Sequence, residues 1–566
     1  MSLRKNFRLV FIVGVSLLAL VIAPGAPLNG VFAQQQRDRR VATEPAPTPT
    51  PAPTLTSETS RSIKASTNAP RALAELRSRI EQIAHQPALE PGFFAVKIVS
   101  LDTGSVIYEQ DAHKFVRPAS NMKLYTVAAA FDRLTPDYHF NTSVYAKEKP
   151  EDGRIRGDLT IFGRGDPSIA ARFSNGDYFK GINDLADRIV AAGVKRIKGD
   201  LVGDESYFNG APLGSGWEWD DLTWSYGAQV SALNINDNAI DLTVKPGGSV
   251  GTPVVIITGP PATTFMTISN RATTSARGSK NQLNIYRGVG ANTLEISGSL
   301  PLGDAGFIGG VAIPDPALAF VTMLRDALQK RGVKIEGRVR TINARSGGSI
   351  VPDPLVALVK LPDYLQPPTV FEIASLQSPP FSLIAAHTLK PSQNQYTELI
   401  LRTLGKMRLT PAQPSSTSAN QDNETAGLEV VRNFLHQAGV GDSDLVLSDG
   451  SGLSRNDMIT ANATVQLLTY MSKHKYFAQF RDALPIAGVD GTLRTRMKGT
   501  AAEGNVRAKT GSLSSVASLS GYVTSATGEH LVFSMMLNNY PDASALRRES
   551  IDAIAILLAS FAGRTQ

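Results

Sequence analysis

No cysteine occurs among the 566 residues. Disulfide bonds, thiolate metal sites, cysteine nucleophiles and cysteine-linked lipid anchors are thereby excluded. Histidine is scarce, seven in all and scattered along the chain. No histidine and acid spacing suggests a metal site, and the chemistry read below requires neither a metal nor a cofactor. Charge is modest at 19% Asp, Glu, Lys and Arg, with a formal net +7, three of these charges being Arg4, Lys5 and Arg8. No dense basic stripe is visible, which argues against a nucleic-acid partner. Long apolar runs are also lacking, with one exception. "LVFIVGVSLLALVIA" (9–23) is of signal-peptide length and short for a bilayer span. No internal repeat is seen.

What is present is 42% apolar residues, enough to bury a core, over a length that suits two to four domains. The apolar run follows a basic start and precedes Pro24, Gly25 and Pro27. "VFA" (31–33) offers a cleavage point, so residues 1–33 read as an export signal and the rest as working in the periplasm or cell-wall space. Membrane contact would come only through an uncleaved signal. Residues 34–69, rich in Pro, Thr and Ala, cannot bury apolar area and read as an extended tether.

Ordered patterning begins with "RALAELRSRIEQIA" (71–84), apolar at helical spacing. "GFFAVKIVSLDTGSVIYEQDA" (92–112) reads as two strands around a turn. "PASNMKLYTVAAAFDRL" reads as a buried helix with Pro118 in its first turn. From about 146 to 368 short strand patterns broken by Gly and Pro dominate, the mark of inserted α+β modules. Helical patterns return from about 370. "NVRAKTGSLSSVASLSGYVTSATGEHLVFSMMLNN" (505–539) reads as three strands with turns at "TGS" and "SATGEH", before a last amphipathic helix. Strands from the two ends of the chain would form one antiparallel sheet covered by helices. The expected division is a catalytic domain of 70–145 and 369–566, an inserted domain of 146–234 and 300–368, and a second insert of 235–299.

Three motifs fall in order. "SNMK" (120–123) puts Ser120 and Lys123 on one helical face. "SRN" (454–456), in "SDGSGLSRNDM", suggests a tight loop presenting Ser454 and Asn456. "KTG" (509–511) lies at the end of a strand pattern, where Gly511 would leave room for a substrate chain. Each motif alone is weak, but the set in this order resembles the S-x-x-K, S-D-N and K-T-G signature of penicillin-binding proteins and class A β-lactamases. "RPASNMKL", "GRGDPS", "GDLVGDESYF", "YGAQVSALNINDN", "DGSGLSRND", "IAGVDGTLRTRM" and "RAKTGSLSSVASLSGYV" extend the likeness. Over about residues 75–562 the chain resembles the three-domain D-alanyl-D-alanine carboxypeptidase/endopeptidase family, the low-molecular-mass penicillin-binding proteins. In "PSQNQYTE" (391–398), Gln393 stands where that family tends towards Asp, a change that touches one local hydrogen bond rather than the chemistry.

The fold expected is therefore α+β, a serine β-lactamase/D,D-peptidase-like domain with two smaller modules inserted between the first and second motifs. Ser120 is the candidate nucleophile. With no histidine near a motif, Lys123 is the candidate base, its pKa lowered by burial and by the charge of Lys509. Ser454 would relay a proton to the leaving nitrogen, and Asn456 would hold the lysine and a substrate amide. The resemblance adds the backbone amides of Ser120 and Ser512 as an oxyanion site. Lys509, Thr510 and Ser512 would take a terminal carboxylate. Asp204 aligns with an acid that contacts the amino group of the stem peptide's diamino acid. The implied partners are peptidoglycan stem peptides, with β-lactams as inhibitors. "ESYFN" (205–209) mimics the E-x-x-x-N of β-lactamases but sits inside the "GDES" likeness and is rejected as a deacylating base. A β-lactamase and a non-catalytic wall-binding module remain the competing readings.

Overall fold

The computed structural model describes residues 69–260, 265–346, 349, 370–408, 421–542 and 544–565. The export-signal reading and all but residue 69 of the tether lie outside these residues, as do 347, 348 and 350–368 of the first expected insert and 261–264 of the second.

The two ends of the chain meet in one sheet. Its strands are β1 (Phe93–Ser100), β2 (Val106–Gln110), β3 (Arg507–Leu513), β4 (Val516–Thr524) and β5 (His530–Asn538). They run in the order β2-β1-β5-β4-β3, antiparallel throughout. Alternation along β1 shows why the sheet is buried on both sides. Phe94, Val96 and Ile98 point to one face, while Ala95 joins the core on the other. On the first face lie the helix Leu73–Ala84, through Leu76, Ile80 and Ala84, and the helix Leu546–Ser560, through Ile551, Ile554 and Leu558. Their four- and three-residue spacing is what one helical face presents.

The opposite face carries α1 (Met122–Leu134), buried nearly all round, and α2 (Asn394–Arg408). Helices Phe381–Leu389, Asn423–Gln437 and Ala461–Ser472 complete this layer. Phe131 on α1 is fully buried and meets the rings of Phe381 at 5.0 Å and Phe480 at 6.1 Å, both edge-on, the arrangement aromatic quadrupoles favour.

The middle of the chain builds a second five-stranded sheet. Its order is Val339–Ile342, Leu201–Asp204, Leu159–Phe162, Asn141–Ala146, Phe371–Gln377. Helices Lys180–Ala191 and Pro316–Lys330 pack with it in one core. A smaller sheet joins Phe307–Ala312, Ala239–Lys245 and Val255–Gly259.

Hydrogen-bond pairing moves the expected boundaries. Asn141–Ala146 and Phe371–Gln377 pair with each other in the inserted sheet, so the break placed at 145/146 cuts the first strand and the break placed at 368/369 leaves the second outside the insert. The break at 299/300 separates Ala239–Lys245 from its partner Phe307–Ala312. The expected turn at "TGS" is also displaced. Residues 510–512 lie within β3, and the chain reverses after Leu513, where Ser515 takes a left-handed φ of 63°. Pro118 precedes the first turn and does not lie in it: a one-turn 3-10 helix, Ala119–Asn121, leads into α1.

Because Phe131 is enclosed by two other rings, Phe131→Ala is expected to cost about 3–5 kcal/mol. Thermal or urea unfolding reads this directly, and a loss below about 1 kcal/mol would contradict the packing described.

Candidate active site

Ser120 sits in the 3-10 turn ahead of α1, partly exposed. That turn is held by close backbone approach on two sides. A Cβ on Gly452 would lie 1.9 Å from the carbonyl oxygen of Ala119, and one on Gly511 would lie 2.6 Å from that of Pro118 and 2.1 Å from Ser518 Oγ. Only glycine fits at either place. Gly511 thus makes room for the chain's own turn. Ala119 itself has a φ of +49°, a left-handed conformation that swings Ser120 towards Lys123 and that a small side chain tolerates.

Lys123 lies one helical turn on from Ser120 and has no exposed surface. Its Nζ is 2.9 Å from Ser120 Oγ, 2.5 Å from Asn394 Oδ1 and 2.7 Å from the Ser451 carbonyl oxygen. Asn394 Nδ2 donates to the Tyr226 carbonyl at 3.0 Å, which fixes which amide atom faces the lysine. Burial pulls the Lys123 pKa down to about 7, against the opposing pull of Asp449, Glu398 and Asp457. Near that value the amine is often neutral. A neutral amine keeps two N–H donors, and Asn394 Oδ1 and the Ser451 carbonyl can only accept them. The lone pair is left facing the hydroxyl of Ser120.

Lys509, also without exposed surface, reaches the same pocket from β3. Its Nζ donates to Ser392 Oγ and to the Thr510 carbonyl, both at 2.8 Å. Burial, and then the charge of Lys123, push it well below its usual range. The expectation that Lys509 lowers Lys123 is therefore revised: burial depresses Lys123, and Lys509 is the cation that gives way. A bound anion would restore its proton.

Ser392 lies in the link into α2 with a left-handed φ of 66°, and Asn394 is the first residue of that helix. These two, and not Ser454 and Asn456, meet the lysines. The Ser454 hydroxyl accepts from the Asn456 backbone N–H, its own N–H donates to Asp449, and the residue is buried in its loop. The Asn456 side chain is exposed. Gly216 of the inserted part lies directly over both, since a Cβ there would stand 2.4 Å from Ser454 Oγ and 2.6 Å from Asn456 Nδ2. The "SRN" loop still serves the site through the main chain, because its neighbour Ser451 supplies the carbonyl. "SQN" (392–394) is one of five Ser-x-Asn triplets in the sequence, so spacing alone does not single it out.

Thr510 donates its hydroxyl to Thr492 at 2.7 Å. Ser512 is exposed on β3, the last strand of the sheet, so residues 509–513 offer an edge to which an extended peptide can add. Asp204 is brought to a different place. It ends the strand Leu201–Asp204 with no exposed surface, and its oxygens accept from the Ser206 N–H and the Ser349 hydroxyl.

The inserted part also grips the link and helix that carry the second motif. Gln395 Nε2 donates to the Gln229 carbonyl at 2.9 Å, and the Tyr396 hydroxyl donates to Asp237, which Arg172 pairs at 2.7 Å.

Residues 76–360 and 359–561 match the D-Ala-D-Ala carboxypeptidase 3 (S13) family. The D-alanyl-D-alanine carboxypeptidase of Actinomadura sp. (strain R39) is 35% identical over 503 residues, covering 87% of this chain and 86% of that protein. The D-alanyl-D-alanine carboxypeptidase DacB of Haemophilus influenzae is 26% identical over 457 residues, covering 79% and 85%. Among solved structures, penicillin binding protein 4 (dacB) from Haemophilus influenzae aligns with a TM-score of 0.68 at 24% identity, over 84% of this chain and 97% of that one. That likeness shows the fold, a D,D-peptidase-like α+β architecture with inserted modules. With a family match spanning both ends of the chain and a relative of this identity and coverage, the chain belongs to the D-Ala-D-Ala carboxypeptidase 3 (S13) family.

Proposed function

We propose that the chain is a serine D,D-peptidase that cleaves peptidoglycan stem peptides ending in D-Ala-D-Ala, or D-Ala-containing cross-links, through an acyl-enzyme on Ser120. The observation that carries this reading is the environment of Lys123, whose two acceptor-only neighbours leave a lone pair for the Ser120 hydroxyl. Support comes from relatives named as D-alanyl-D-alanine carboxypeptidases. Penicillin binding protein 4 of Haemophilus influenzae, of the same fold, has also been solved with a β-lactam.

The steps balance as follows. Ser120 Oγ attacks the carbonyl carbon of the penultimate residue and gives its proton to Lys123 Nζ. The C–N bond then breaks, and the departing nitrogen takes a proton passed from Lys123 through the Ser392 hydroxyl. Water later attacks the ester by the reverse proton path. The backbone N–H groups of Ser120 and Ser512 would hold the developing oxyanion. Lys509, recharged by the ligand, and the Thr510 and Ser512 hydroxyls would take the terminal carboxylate. Asn394, rather than Asn456, orients the lysine. A β-lactam enters the same path and stays as a slowly released ester. A place outside the cytoplasm, in the periplasm or wall space, fits the N-terminal reading and this substrate.

Two outcomes follow from the geometry. Ser392→Ala is expected to slow benzylpenicillin acylation by about 10²–10³, the usual worth of a proton-transfer group, while Ser454→Ala changes it by less than about tenfold. Stopped-flow acylation of both variants checks this, and the opposite ranking would return the second motif to 454–456. The acylation rate of the wild-type protein is expected to rise with pH through about 7, as Lys123 loses its proton. A rate that is flat between pH 5 and 9 would exclude Lys123 as the base, since only its neutral form accepts a proton; those limits span about two units either side of its pKa.

A further inference from the structure

Behind Lys123 lies a buried acid to which the reaction above assigns no role. Asp449 has no exposed surface, yet its two oxygens accept hydrogen bonds from five donors. Oδ1 takes the N–H groups of Ser451 (3.0 Å) and Gly452 (2.6 Å). Oδ2 takes the Ser451 hydroxyl (3.1 Å), the Ser454 N–H (2.9 Å) and the indole N–H of Trp217 (2.9 Å). These donors engage both oxygens of the side chain. They also fold residues 449–454 into the tight loop that aims the Ser451 carbonyl at Lys123 Nζ and lays Gly452 against Ala119.

Two other buried carboxyls stand nearby, and their surroundings differ. Asp457 accepts the N–H groups of Ser448 and Asp449 through Oδ1, while its buried Oδ2 has no partner among the described residues. Burial, then the charge of Asp449, raise its pKa well above the carboxylate range. Glu398 on α2 accepts the Gly450 N–H and is raised in the same way, by burial first, then by Asp449 and Glu424, against Arg402. The charged and titratable groups facing Lys123 are thus Lys509 from β3, Glu398 from α2 with Arg402 and Glu424 beyond it, and Asp449 and Asp457 from the loop. Among the three acids Asp449 accepts the most hydrogen bonds, five against two for Asp457 and one for Glu398.

Taking Lys123 as the base, we propose that Asp449 is a positioning residue. Its carboxylate is the counter-charge behind the lysine and the knot that holds the Ser451 carbonyl in place, and Trp217 ties the inserted part of the chain to that knot. The base is then tuned partly by a side chain that never meets substrate. The inserted segment also contributes to catalysis through an indole hydrogen bond.

The test is the pH profile of benzylpenicillin acylation in the full chain. Asp449→Asn removes a negative charge that favours protonated Lys123. The acid limb is expected to move down by about one pH unit, with a plateau some 10- to 100-fold slower as the loop loosens. Trp217→Phe is expected to slow the plateau and leave the limb in place. Glu398→Gln and Asp457→Asn, at carboxyls that burial pushes well above the usual range, are also expected to leave it. An Asp449→Asn limb that stays put overturns the proposal, because a merely structural carboxylate would lower the rate without moving the limb. If that variant does not fold, the other two acids decide. Both limbs unmoved supports the proposal, and a downward shift in either places the charge elsewhere and overturns it. A wild-type protein that forms no acyl-enzyme at all contradicts the proposed function instead.

Discussion

The active site depends on keeping a lysine amine out of water. An ammonium group is costly to desolvate, and the fold meets that cost by letting the pKa of Lys123 fall to about 7. The drop from 10.5 corresponds to a few kcal/mol at ordinary pH, on the order of 1.4 kcal/mol per unit. Between about pH 7 and 10.5 the folded protein binds fewer protons here than the unfolded chain. The penalty is therefore full below about 7 and is relieved as pH rises through that window. Stability is spent to obtain a base that works near neutrality.

Much of the surrounding architecture serves that amine. α1 carries it one turn from Ser120, the start of α2 brings Asn394, and the loop after Asp449 brings a carbonyl. Three separate stretches of chain must therefore be held in register to within a few tenths of an ångström. The sheet does part of this, since Asn121 Nδ2 donates to Ser520 Oγ at 2.7 Å and the Ser518 hydroxyl donates to the Pro118 carbonyl at 2.8 Å. Glycines at 452 and 511 do more, by letting backbone meet backbone on either side of the nucleophile turn. The inserted part completes the hold, with Tyr226 fixing the Asn394 amide and Gly216 closing over Ser454.

The sheet, its two helical layers, the insertion and the pairing of Ser120 with Lys123 and Lys509 were legible because their signals are local: alternation in β1, helical spacing in Leu73–Ala84, and a Ser-x-x-Lys on one helical face. The second motif was not legible. Ser-x-Asn occurs five times, 392–394 and 454–456 among them, and composition favours the Gly- and Ser-rich copy at 454–456. Which copy meets the lysines is settled by tertiary packing and by a left-handed φ at Ser392, neither of which a tripeptide records. The module boundaries shifted because strand partners lie far apart in sequence, as with Asn141–Ala146 and Phe371–Gln377.

The account as a whole rests on Ser120 being the atom that becomes acylated. Peptide mapping of the protein by mass spectrometry after exposure to benzylpenicillin, followed over hours, tests this most directly. The account requires a single adduct on the peptide containing residues 117–126, borne by Ser120 and lost slowly. An adduct on any other serine, Ser392 and Ser454 included, or none on well-folded protein, would contradict it.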